Sequence, residues 1–373
     1  MIRISVIIVN YNARFFLENC LCSVLSSEVA DLIEIIVVDN ASNDDSCSMI
    51  SNSFPDIQLI RNAENVGFAK ANNQAVKMAQ GDYILILNPD TMLAETTLSD
   101  MLAFAEGQEN FGAAGLRFID GTGSYLPESK RNFPNLMVAG AKLLGYSNSY
   151  YANHLDHKAV GPVEILTGAF MFVRKEVYNT IGGFDEDFFM YGEDIDLSYR
   201  ILRAGYQNFY IGTSSVLHFK GESTVKDKFY VENFYGALRI FYKKHFSNRA
   251  GLYMLVDVLI KTMISLKSLS GSQKASRKEG VKAWAYMGKD AKVYERLKGL
   301  FVSIPSVSVT HMEATGSEGQ VVLFDSKTLK YAEIIEAMAR PDLSEVRKRI
   351  ISQNQEFYIG SDASNEQGEA VTF

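Results

Sequence analysis

The chain has 373 residues, of which 47% are hydrophobic and 22% are charged, and its formal net charge is −7. These proportions are typical of a globular protein and exclude extended intrinsic disorder, and the negative balance argues against nucleic acid as a partner. The three cysteines show no metal-binding or C-x-x-C spacing, so we expect them to be reduced, as in a cytoplasmic protein.

The N-terminal apolar run is interpreted as a core strand. Residues 2–9 are short and rich in β-branched side chains, and polar Tyr11 and Asn12 follow closely. A signal peptide would need a basic flank and a small-residue cleavage site. No stretch of the sequence reaches the ~20 apolar residues of a membrane-spanning helix. We therefore expect synthesis and residence in the cytoplasm.

Strand and helix patterns alternate through the first 110 residues. Continuous apolar runs predict strands over 2–9, 33–38, 57–60 and 83–87, and helical patterns lie between them and after the last. Apolar strands that alternate with helices indicate a parallel sheet covered on both faces. The pattern predicts an α/β nucleotide-binding domain, although no G-x-G-x-x-G or Walker pattern is present.

The strand predicted over 83–87 ends in Asn88-Pro89-Asp90. Because proline cannot continue a ladder, the strand should end there, at the sheet edge where ligands bind in α/β proteins. A carboxylate at that position can hold a divalent metal, which in turn can hold phosphate oxygens. A plain turn is the alternative, since Asn-Pro and Pro-Asp are common turn sequences.

The densest group of polar residues lies between 183 and 200. Glu193, Asp194 and Asp196 open a helical pattern there. The helix dipole favours an acidic residue in the first turn, but three within four positions exceed what a cap requires. A carboxylate at the mouth of an apolar pocket can serve as a general base.

Strands are also predicted over 163–173, interrupted by Thr167-Gly168-Ala169, and over 209–211 and 215–217. His218 follows the last of them and precedes a glycine and a serine by a few residues. We interpret this histidine either as a metal or phosphate contact or as an ordinary satisfied polar side chain.

Six segments of the chain, in this order, together resemble the family 2 glycosyltransferases, in particular the bacterial rhamnosyltransferase-like branch that builds cell-surface polysaccharides. They are Ser5-Val-Ile-Ile-Val-Asn-Tyr-Asn12, Val37-Val-Asp-Asn-Ala-Ser42, Asn65-Val-Gly-Phe-Ala-Lys-Ala-Asn-Asn73, Leu87-Asn-Pro-Asp90, Gly182-Gly-Phe-Asp-Glu186 and Glu193-Asp-Ile-Asp-Leu197. The resemblance covers residues 1–245.

The resemblance implies a GT-A fold, an α/β domain with a mostly parallel central sheet flanked by helices. Such a domain binds a nucleotide-sugar with its N-terminal half and an acceptor with its C-terminal half. By position, the resemblance assigns these residues to the nucleotide-sugar: Asn10, Tyr11, Asn12, Asp39, Asn40, Asn65, Gly67, Lys70, Asn88, Thr167 and Gly168.

The metal position departs from the family pattern. The family usually shows Asp-x-Asp there, whereas this chain has Asn88-Pro89-Asp90. Asp90 becomes the principal expected ligand of Mg²⁺ or Mn²⁺, with His218 beside it. One negative charge is missing, so we expect a modest metal affinity.

The Glu193-Asp194 pair is similar to the catalytic-base motif of the family, and Asp194 is the expected base. The implied reaction is an inverting displacement in which an acceptor hydroxyl attacks the anomeric carbon of dTDP-rhamnose or a UDP-hexose. The implied acceptor is a glycan or a polyprenyl-linked glycan. Phe188, Phe189 and Tyr191 would line a water-poor pocket or, in the alternative, pack in the core.

We expect three parts: a catalytic domain over 1–245, a basic amphipathic helical segment over 246–300 and a small C-terminal α/β appendage of unknown role over 301–373. Residues 241–300 hold ten Lys and three Arg against two Asp and two Glu. Their apolar stripe over 252–264 predicts that the stretch 250–282 lies on a membrane surface, peripheral on the inner face of the plasma membrane. A helix docked on the catalytic domain or at a homodimer seam is the alternative.

The appendage is predicted from its own apolar runs. These indicate strands over 321–324 and 356–359, and helices over 327–339 and 343–351.

Two other functions compete with glycosyl transfer. A metal-dependent nucleotidyltransferase would need a glycine-rich basic loop after the first strand, which Tyr11-Asn-Ala-Arg14 does not supply. A catalytically inactive carbohydrate-binding scaffold is compatible with Asn88 in the metal motif, but the intact acidic group at 193–196 counts against it.

Overall fold

The computed structural model describes residues 1–134, 138, 149–220, 228–246, 258, 280–307, 319–363 and 367–373. The elements up to residue 246 are β1 (Ile4–Asn10), α1 (Arg14–Leu25), β2 (Ile33–Asp39), α2 (Ser46–Ser53), β3 (Gln58–Arg61), α3 (Phe68–Val76), β4 (Tyr83–Leu87), β5 (Thr91–Met92), α4 (Thr97–Glu106), β6 (Phe111–Ile119), β7 (Tyr125–Leu126), β8 (Val160–Pro162), β9 (Phe170–Arg174), α5 (Lys175–Thr180), α6 (Glu193–Arg203), β10 (Gln207–His218) and α7 (Lys228–Phe246).

These strands form one sheet in the order β3-β2-β1-β4-β9-β6-β10-β5, with β7 on β6 and β8 on β10. The pairs of β1 with β2 and β4, of β2 with β3, and of β6 with β10 are parallel. β9 runs antiparallel between β4 and β6. The predicted α/β class, with a mostly parallel central sheet flanked by helices, is confirmed.

Helices cover both faces of this sheet. Alternate residues of β1 enter two cores, with Val6 and Ile8 packing on the side of α1 and α4. Ile7 and Val9 enter the other core, which contains residues of α3, α5 and α6. Because both faces are buried, the strand is a continuous apolar run, which is why the sequence identified it.

Two of the predicted strands are in fact one. Residues 209–211 and 215–217 both belong to β10, which continues from Gln207 to His218 with a register shift between Ile211 and Ser215. The polar residues at that irregularity mimic a break between strands. His218, the last residue of β10, pairs with Thr91 of β5.

A second sheet follows in the described residues after 280. Its elements are β11 (Ala283–Met287), α8 (Ala291–Leu300), β12 (Gln320–Asp325), α9 (Tyr331–Met338), β13 (Arg347–Ile351), β14 (Phe357–Gly360) and β15 (Glu369–Thr372). The strand order is β11-β12-β13-β14-β15, with the first three parallel and the last two antiparallel to their neighbours.

The helix predicted over 343–351 is wrong, because residues 347–351 form β13 in the middle of the second sheet. Lys348 and Arg349 are buried within this strand. Lys348 donates to the backbone oxygen of Thr122, and Arg349 pairs with Asp362 at 2.7 Å and with Glu369 at 2.6 Å. Both basic side chains are thus satisfied inside the second sheet.

The segment predicted to be helical over 246–300 contains a strand, since β11 spans 283–287. Most of the amphipathic stretch 250–282 lies outside the described residues, so the membrane prediction and the three domain boundaries stay predictions. Among the described residues, no helix combines the length and the apolar character needed to cross a bilayer.

The two sheets share an apolar core. Phe16, Ile119 and Phe219 from the first part pack with Phe324 and Ile334 from the second. Phe219 directly follows His218, and its ring lies 5.1 Å from that of Phe16. The second sheet therefore lies directly behind the strand end that carries the candidate metal ligand.

Candidate active site

A cavity lies at the edge of the first sheet where β1, β2 and β4 end. Because β9 is antiparallel, its beginning reaches the same edge, and Asn88 N donates to Ala169 O at 2.9 Å. The cavity is lined by these residues of the predicted site: Tyr11, Asn40, Asn65, Asn88, Thr167, Gly168, Glu193, Asp194 and His218. The fold thus brings together residues that are up to 207 positions apart in the sequence.

Asn10 and Asp39 lie beneath this cavity as paired ends of β1 and β2. Asn10 Nδ2 donates to Asp39 Oδ1 at 2.9 Å, and Ser42 donates to the same carboxylate from its hydroxyl at 2.6 Å and from its N–H at 2.9 Å. Asn12, in the left-handed region with φ +54°, accepts at Oδ1 from Asn43 N at 2.7 Å. The network fixes the two loops that follow β1 and β2.

Gly67 and Lys70 lie away from the cavity. Gly67 has φ +87°, and a Cβ there would lie 2.6 Å from the backbone oxygen of Phe189. Its glycine is required by this close approach to the 188–191 loop, where we predicted an approach to the nucleotide. Lys70 is exposed on α3. The nucleotide contacts assigned to both residues stay predictions.

Asp90 lies beside His218, which lines the cavity. Asp90 Oδ1 lies 3.3 Å from His218 Nε2, and both side chains are less than a tenth exposed. Nδ1 of His218 is buried and has no hydrogen-bond partner in the described part of the chain. Two ligands at right angles on an octahedral Mg²⁺ or Mn²⁺ would be ~3 Å apart, so the pair fits a shared ion. No cluster of three or more ligating side chains occurs within the described residues, so other ligands would come from substrate or water.

Asp194 is held by a buried ion pair. Its Oδ2 accepts from Arg131 Nη2 at 2.6 Å and from Gly168 N at 3.1 Å, and its Oδ1 accepts from Ile195 N at 2.7 Å. Arg131 also donates to the backbone oxygen of Leu166. Burial acts to lower the pKa of Arg131, but the charges and hydrogen bonds of Asp194 and Tyr150 together outweigh burial and raise it.

Glu193 has the opposite environment. Its Oε2 is buried and has no hydrogen-bond partner among the residues that the structure describes. Burial raises the pKa of Glu193, and the adjacent charge of Asp194 raises it further. Two neighbouring carboxyl groups that line one cavity therefore differ. Asp194 is paired with the Arg131 guanidinium, whereas Oε2 of Glu193 has no partner in the described part of the chain.

Asp196, the third acidic residue of this turn, points away from the cavity and anchors α7. It accepts from Arg200 Nε at 2.7 Å, contacts His245 Nε2 at 2.7 Å, and lies 3.0 Å from Lys244 Nζ. Although burial acts to raise its pKa, the bonds from His245 and Arg200 prevail and lower the pKa of Asp196 to about 2.

The aromatic residues of the 188–191 loop were predicted either to line a pocket or to pack in the core, and the structure shows one example of each. Tyr191 lines the cavity together with Phe68 and Met190. Phe188 is buried in a core with Ala237 and Phe241 of α7. The apolar wall of the cavity is therefore backed by packing against α7.

Two residues that hold this site were absent from the prediction. Ser42 stands three positions after Asp39, which is a common spacing for a turn closed by a side chain, so it could have been inferred. Arg131 lies in an irregular stretch that pairs with Tyr151 and Ile165 by isolated bridges. No periodicity marks such a residue, and only the tertiary structure brings it to Asp194.

Comparisons with known proteins agree on one family. The family model described as Glycosyl transferase family 2 matches residues 5–182. The chain is 30% identical over 243 residues to N-acetylglucosaminyl-diphospho-decaprenol L-rhamnosyltransferase of Mycobacterium tuberculosis, covering 60% of this chain and 78% of that protein. It is also 30% identical over 161 residues to rhamnosyltransferase WbbL of Escherichia coli K12, covering 41% of this chain and 61% of that protein.

Solved structures similar to the chain include the mannosyltransferase PcManGT of Pyrobaculum calidifontis in complex with GDP-Man and Mn²⁺. It is 19% identical with a TM-score of 0.47, over 73% of this chain and 76% of that one. Residues 1–349 of S. aureus TarS in complex with UDP-GlcNAc are 17% identical with a TM-score of 0.43, over 64% of this chain and 65% of that one.

Proposed function

The chain belongs to glycosyl transferase family 2 and is a sugar-transferring enzyme, and we propose that it is an inverting glycosyltransferase acting on a hydroxyl of a glycan or lipid-linked glycan. One observation supports this proposal: Glu193 and Asp194 line the same cavity as Asn88 and His218, which stand at the ends of β4 and β10. In α/β sheets that edge is where ligands bind.

The donor that we propose is dTDP-rhamnose, with UDP-hexoses as the second choice. Two relatives at 30% identity are named as rhamnosyltransferases, which favours the rhamnosyl donor. Asn10, Asp39 and Asn40 would hold the base and ribose, since a carboxylate can accept the imide N–H of thymine or uracil. The hydrogen bonds from Ser42 orient Asp39 for that contact.

Asp90 and His218 are the residues that would hold a divalent ion at the diphosphate. A bound Mg²⁺ or Mn²⁺ supplies positive charge that offsets the charge developing on the leaving diphosphate. The chain itself contributes a buried carboxylate and an imidazole at 3.3 Å, fixed by the pairing of β10 with β5.

In the proposed reaction, the Glu193-Asp194 pair takes the proton of the acceptor hydroxyl as its oxygen attacks the anomeric carbon. Thr167 and Gly168 form the floor beneath the sugar, and Gly168 N is fixed by its bond to Asp194. Phe68, Met190 and Tyr191 restrict water on the apolar side of the cavity. A dry site limits hydrolysis of the donor and strengthens the electrostatic contacts within it.

The acceptor that we propose is linked through a diphosphate to a polyprenyl lipid, because the name of the mycobacterial relative specifies such a substrate for that protein. Contact of 250–282 with the inner membrane face would bring the enzyme to it, and the excess of Lys and Arg over 241–300 supports this proposal. Co-sedimentation of the full chain with anionic vesicles, but not with neutral ones, is the expected result. Equal recovery with both would favour a helix docked on the catalytic domain or at a homodimer seam.

The test of function is the release of nucleoside diphosphate. Purified protein is incubated with dTDP-rhamnose or a UDP-hexose and an acceptor of N-acetylglucosamine linked through a diphosphate to a short polyprenyl chain. We expect release that requires the acceptor, with a product of inverted anomeric configuration by NMR. A nucleotidyltransferase would exchange inorganic diphosphate instead, and a binding scaffold would release nothing.

A further inference from the structure

We propose that Phe357 of the second sheet is a positioning residue for donor binding, because it fixes the two loops that follow β1 and β2. These loops contain Asn12 and Ser42, and Ser42 donates to the Asp39 carboxylate. The inference rests on the proposed function, which takes the base and ribose of the donor to lie at Asn10 and Asp39. It gives the second sheet a role in glycosyl transfer, where the sequence predicted an appendage of unknown role.

Phe357 packs on the first turn of α1. It is the first residue of β14 and is buried. Its ring lies edge-to-face with that of Phe15, and the two ring centroids are 4.8 Å apart. The guanidinium carbon of Arg14 lies 4.3 Å from the centroid of Phe15 and 5.7 Å from that of Phe357. Aromatic and cation–π contacts of this kind have a preferred geometry, so they fix the direction in which α1 begins.

The start of α1 is joined to the loop after β2 by hydrogen bonds from backbone N–H groups. Arg14 N donates to Asp44 Oδ2 at 3.0 Å, and Asn12 N donates to Ser42 Oγ at 3.0 Å. The Ser42 hydroxyl in turn donates to Asp39 Oδ1 at 2.6 Å. A continuous set of contacts therefore leads from the second sheet to the carboxylate that we propose binds the base.

Each of the two loops contains a residue in a left-handed backbone conformation. Asn12 has φ +54° and Ala41 has φ +63°. Neither residue is glycine, so both conformations are unfavourable, and such residues keep them only where the surrounding contacts hold them. We therefore expect the loops to relax to other conformations when a contact that holds them is removed.

Space is available for such a movement. A groove between the loops and the second sheet is lined by Asn12 and Asp44 on one side and by Phe357 and Ala370 on the other. A smaller side chain at position 357 would extend this groove towards α1. The first turn of α1 and the loops joined to it could then shift into the added space.

The rest of α1 stays anchored on the second sheet without Phe357. Asn354 Nδ2 donates to Glu18 Oε1 at 2.9 Å, one turn further along α1. Phe16 is buried in the core that the two sheets share. Loss of the Phe357 contact should therefore release the first turn of α1 and the two loops without separating the sheets.

Matched substitutions in the full chain test this proposal. Nucleoside diphosphate release is measured at saturating acceptor while the donor that the wild type uses, dTDP-rhamnose or a UDP-hexose, is varied. For Phe357→Leu we expect the KM for the donor to rise ~10-fold with kcat within ~2-fold of the wild type, because displaced loops weaken donor binding without touching the reacting atoms. Calorimetric titration with the matching nucleoside diphosphate should show the same ~10-fold rise in Kd.

The control is Phe324→Leu, at a fully buried position of the same core. It should lower stability to a similar extent, as urea unfolding will show, and leave the KM for the donor unchanged. An equal rise in KM in both variants overturns the proposal, because the effect would then follow from lost stability. An unchanged KM in Phe357→Leu, or a fall in kcat as large as the rise in KM, overturns it as well.

Circular dichroism shows whether Phe357→Leu is folded at the assay temperature. If it is not, Phe15→Leu replaces it, since this half-buried position removes the same contact from the side of α1. The KM for the donor should rise by a similar factor, and an unchanged KM there overturns the proposal.

The wild type separates the two levels of failure. A wild type that releases no nucleoside diphosphate overturns the proposed function and the inference together. An active wild type whose KM for the donor is unaffected by loss of the Phe357–Phe15 contact overturns only the inference.

Discussion

The carboxylate of Glu95 accepts a hydrogen bond of 2.7 Å from the backbone N–H of Tyr331, which lies 236 positions further along the chain. A second bond, of 3.1 Å, comes from Ala332 N. Glu95 precedes α4 beside the first sheet, and Tyr331 begins α9 of the second. The first N–H groups of a helix have no partners within the helix. The Glu95 side chain therefore caps the N-terminus of α9.

Removing this cap should weaken the whole protein. We expect Glu95→Ala to lower the free energy of unfolding by ~1–2 kcal/mol, the usual cost of losing a helix cap, with a further small loss of charge at the helix dipole. Urea unfolding at pH 7 measures it. Glu109→Ala, at an exposed position, is the matched control. The same loss in both variants would show that the cap contributes nothing.

The affinity of the proposed metal site for Mn²⁺ should depend on the number of carboxylates at positions 88 and 90. We expect Asn88→Asp, which restores the Asp-x-Asp pattern, to tighten Mn²⁺ binding about tenfold or more, because a second carboxylate adds charge at the site. Asp90→Asn should weaken binding by at least a similar factor. Mn²⁺ titration followed by electron paramagnetic resonance reports both changes.

An exposed carboxylate offers a control for the metal titration, since Asp56→Asn should leave the affinity for Mn²⁺ unchanged. If all three variants bind Mn²⁺ as the wild type does, Asp90 and its neighbours are not the metal site. The contact between Asp90 and His218 would then be a structural ion pair or packing contact without a metal role.

Acid should remove the contribution of Asp196 to stability. Its pKa falls from 3.8 to about 2 in the folded protein, so the bonds to His245 and Arg200 contribute stability above pH 4 that is lost as the pH falls towards 2. Linkage gives this contribution a size of ~2 kcal/mol at pH 7. In urea unfolding, Asp196→Asn should be less stable than the wild type at pH 7, and the difference should shrink between pH 4 and pH 2. A difference that stays constant with pH would contradict this assignment.

β1, β2 and β4 of the first sheet could be predicted because burial on both faces makes them continuous apolar runs. β6, which is also buried, was not among the predicted strands. β13 was wrongly predicted as a helix, and it carries two buried basic side chains. Lys348 donates to a backbone oxygen 226 positions away, and Arg349 donates to carboxylates 13 and 20 positions away. A sequence gives the polarity of a side chain but not the location of its partner, so it does not reveal that these positions are buried.

The site shows the same division. Asn88 and His218 were noted at predicted strand ends, and both line one cavity because parallel strands end at one edge of the sheet. The roles assigned to them stay predictions. The opposite environments of Glu193 and Asp194 could not be predicted, since they depend on Arg131 in an irregular segment. Adjacent identical charges on one helical turn acquire different chemistry only through tertiary contacts.

Two glycines, Gly123 and Gly182, have almost the same positive φ but different surroundings. Comparing them distinguishes the cost of a positive φ from the cost of a steric clash. Gly123 has φ +86°, and a Cβ there would lie 1.8 Å from the backbone oxygen of Met338 at the end of α9. Gly182 has φ +83°, and its Cβ would meet no described atom within 4 Å. Alanine at either position therefore needs an unfavourable positive φ, but only alanine at 123 collides with the end of α9.

We expect Gly182→Ala to cost ~1–2 kcal/mol of unfolding free energy, which is the left-handed penalty alone. For Gly123→Ala we expect a further loss of at least ~2 kcal/mol, because backbone atoms on both sides must move to relieve the overlap. Urea unfolding of both variants measures the difference. If the two losses agree, the contact between the loop at 120–124 and α9 yields without cost, and the two sheets are not rigidly docked at this point.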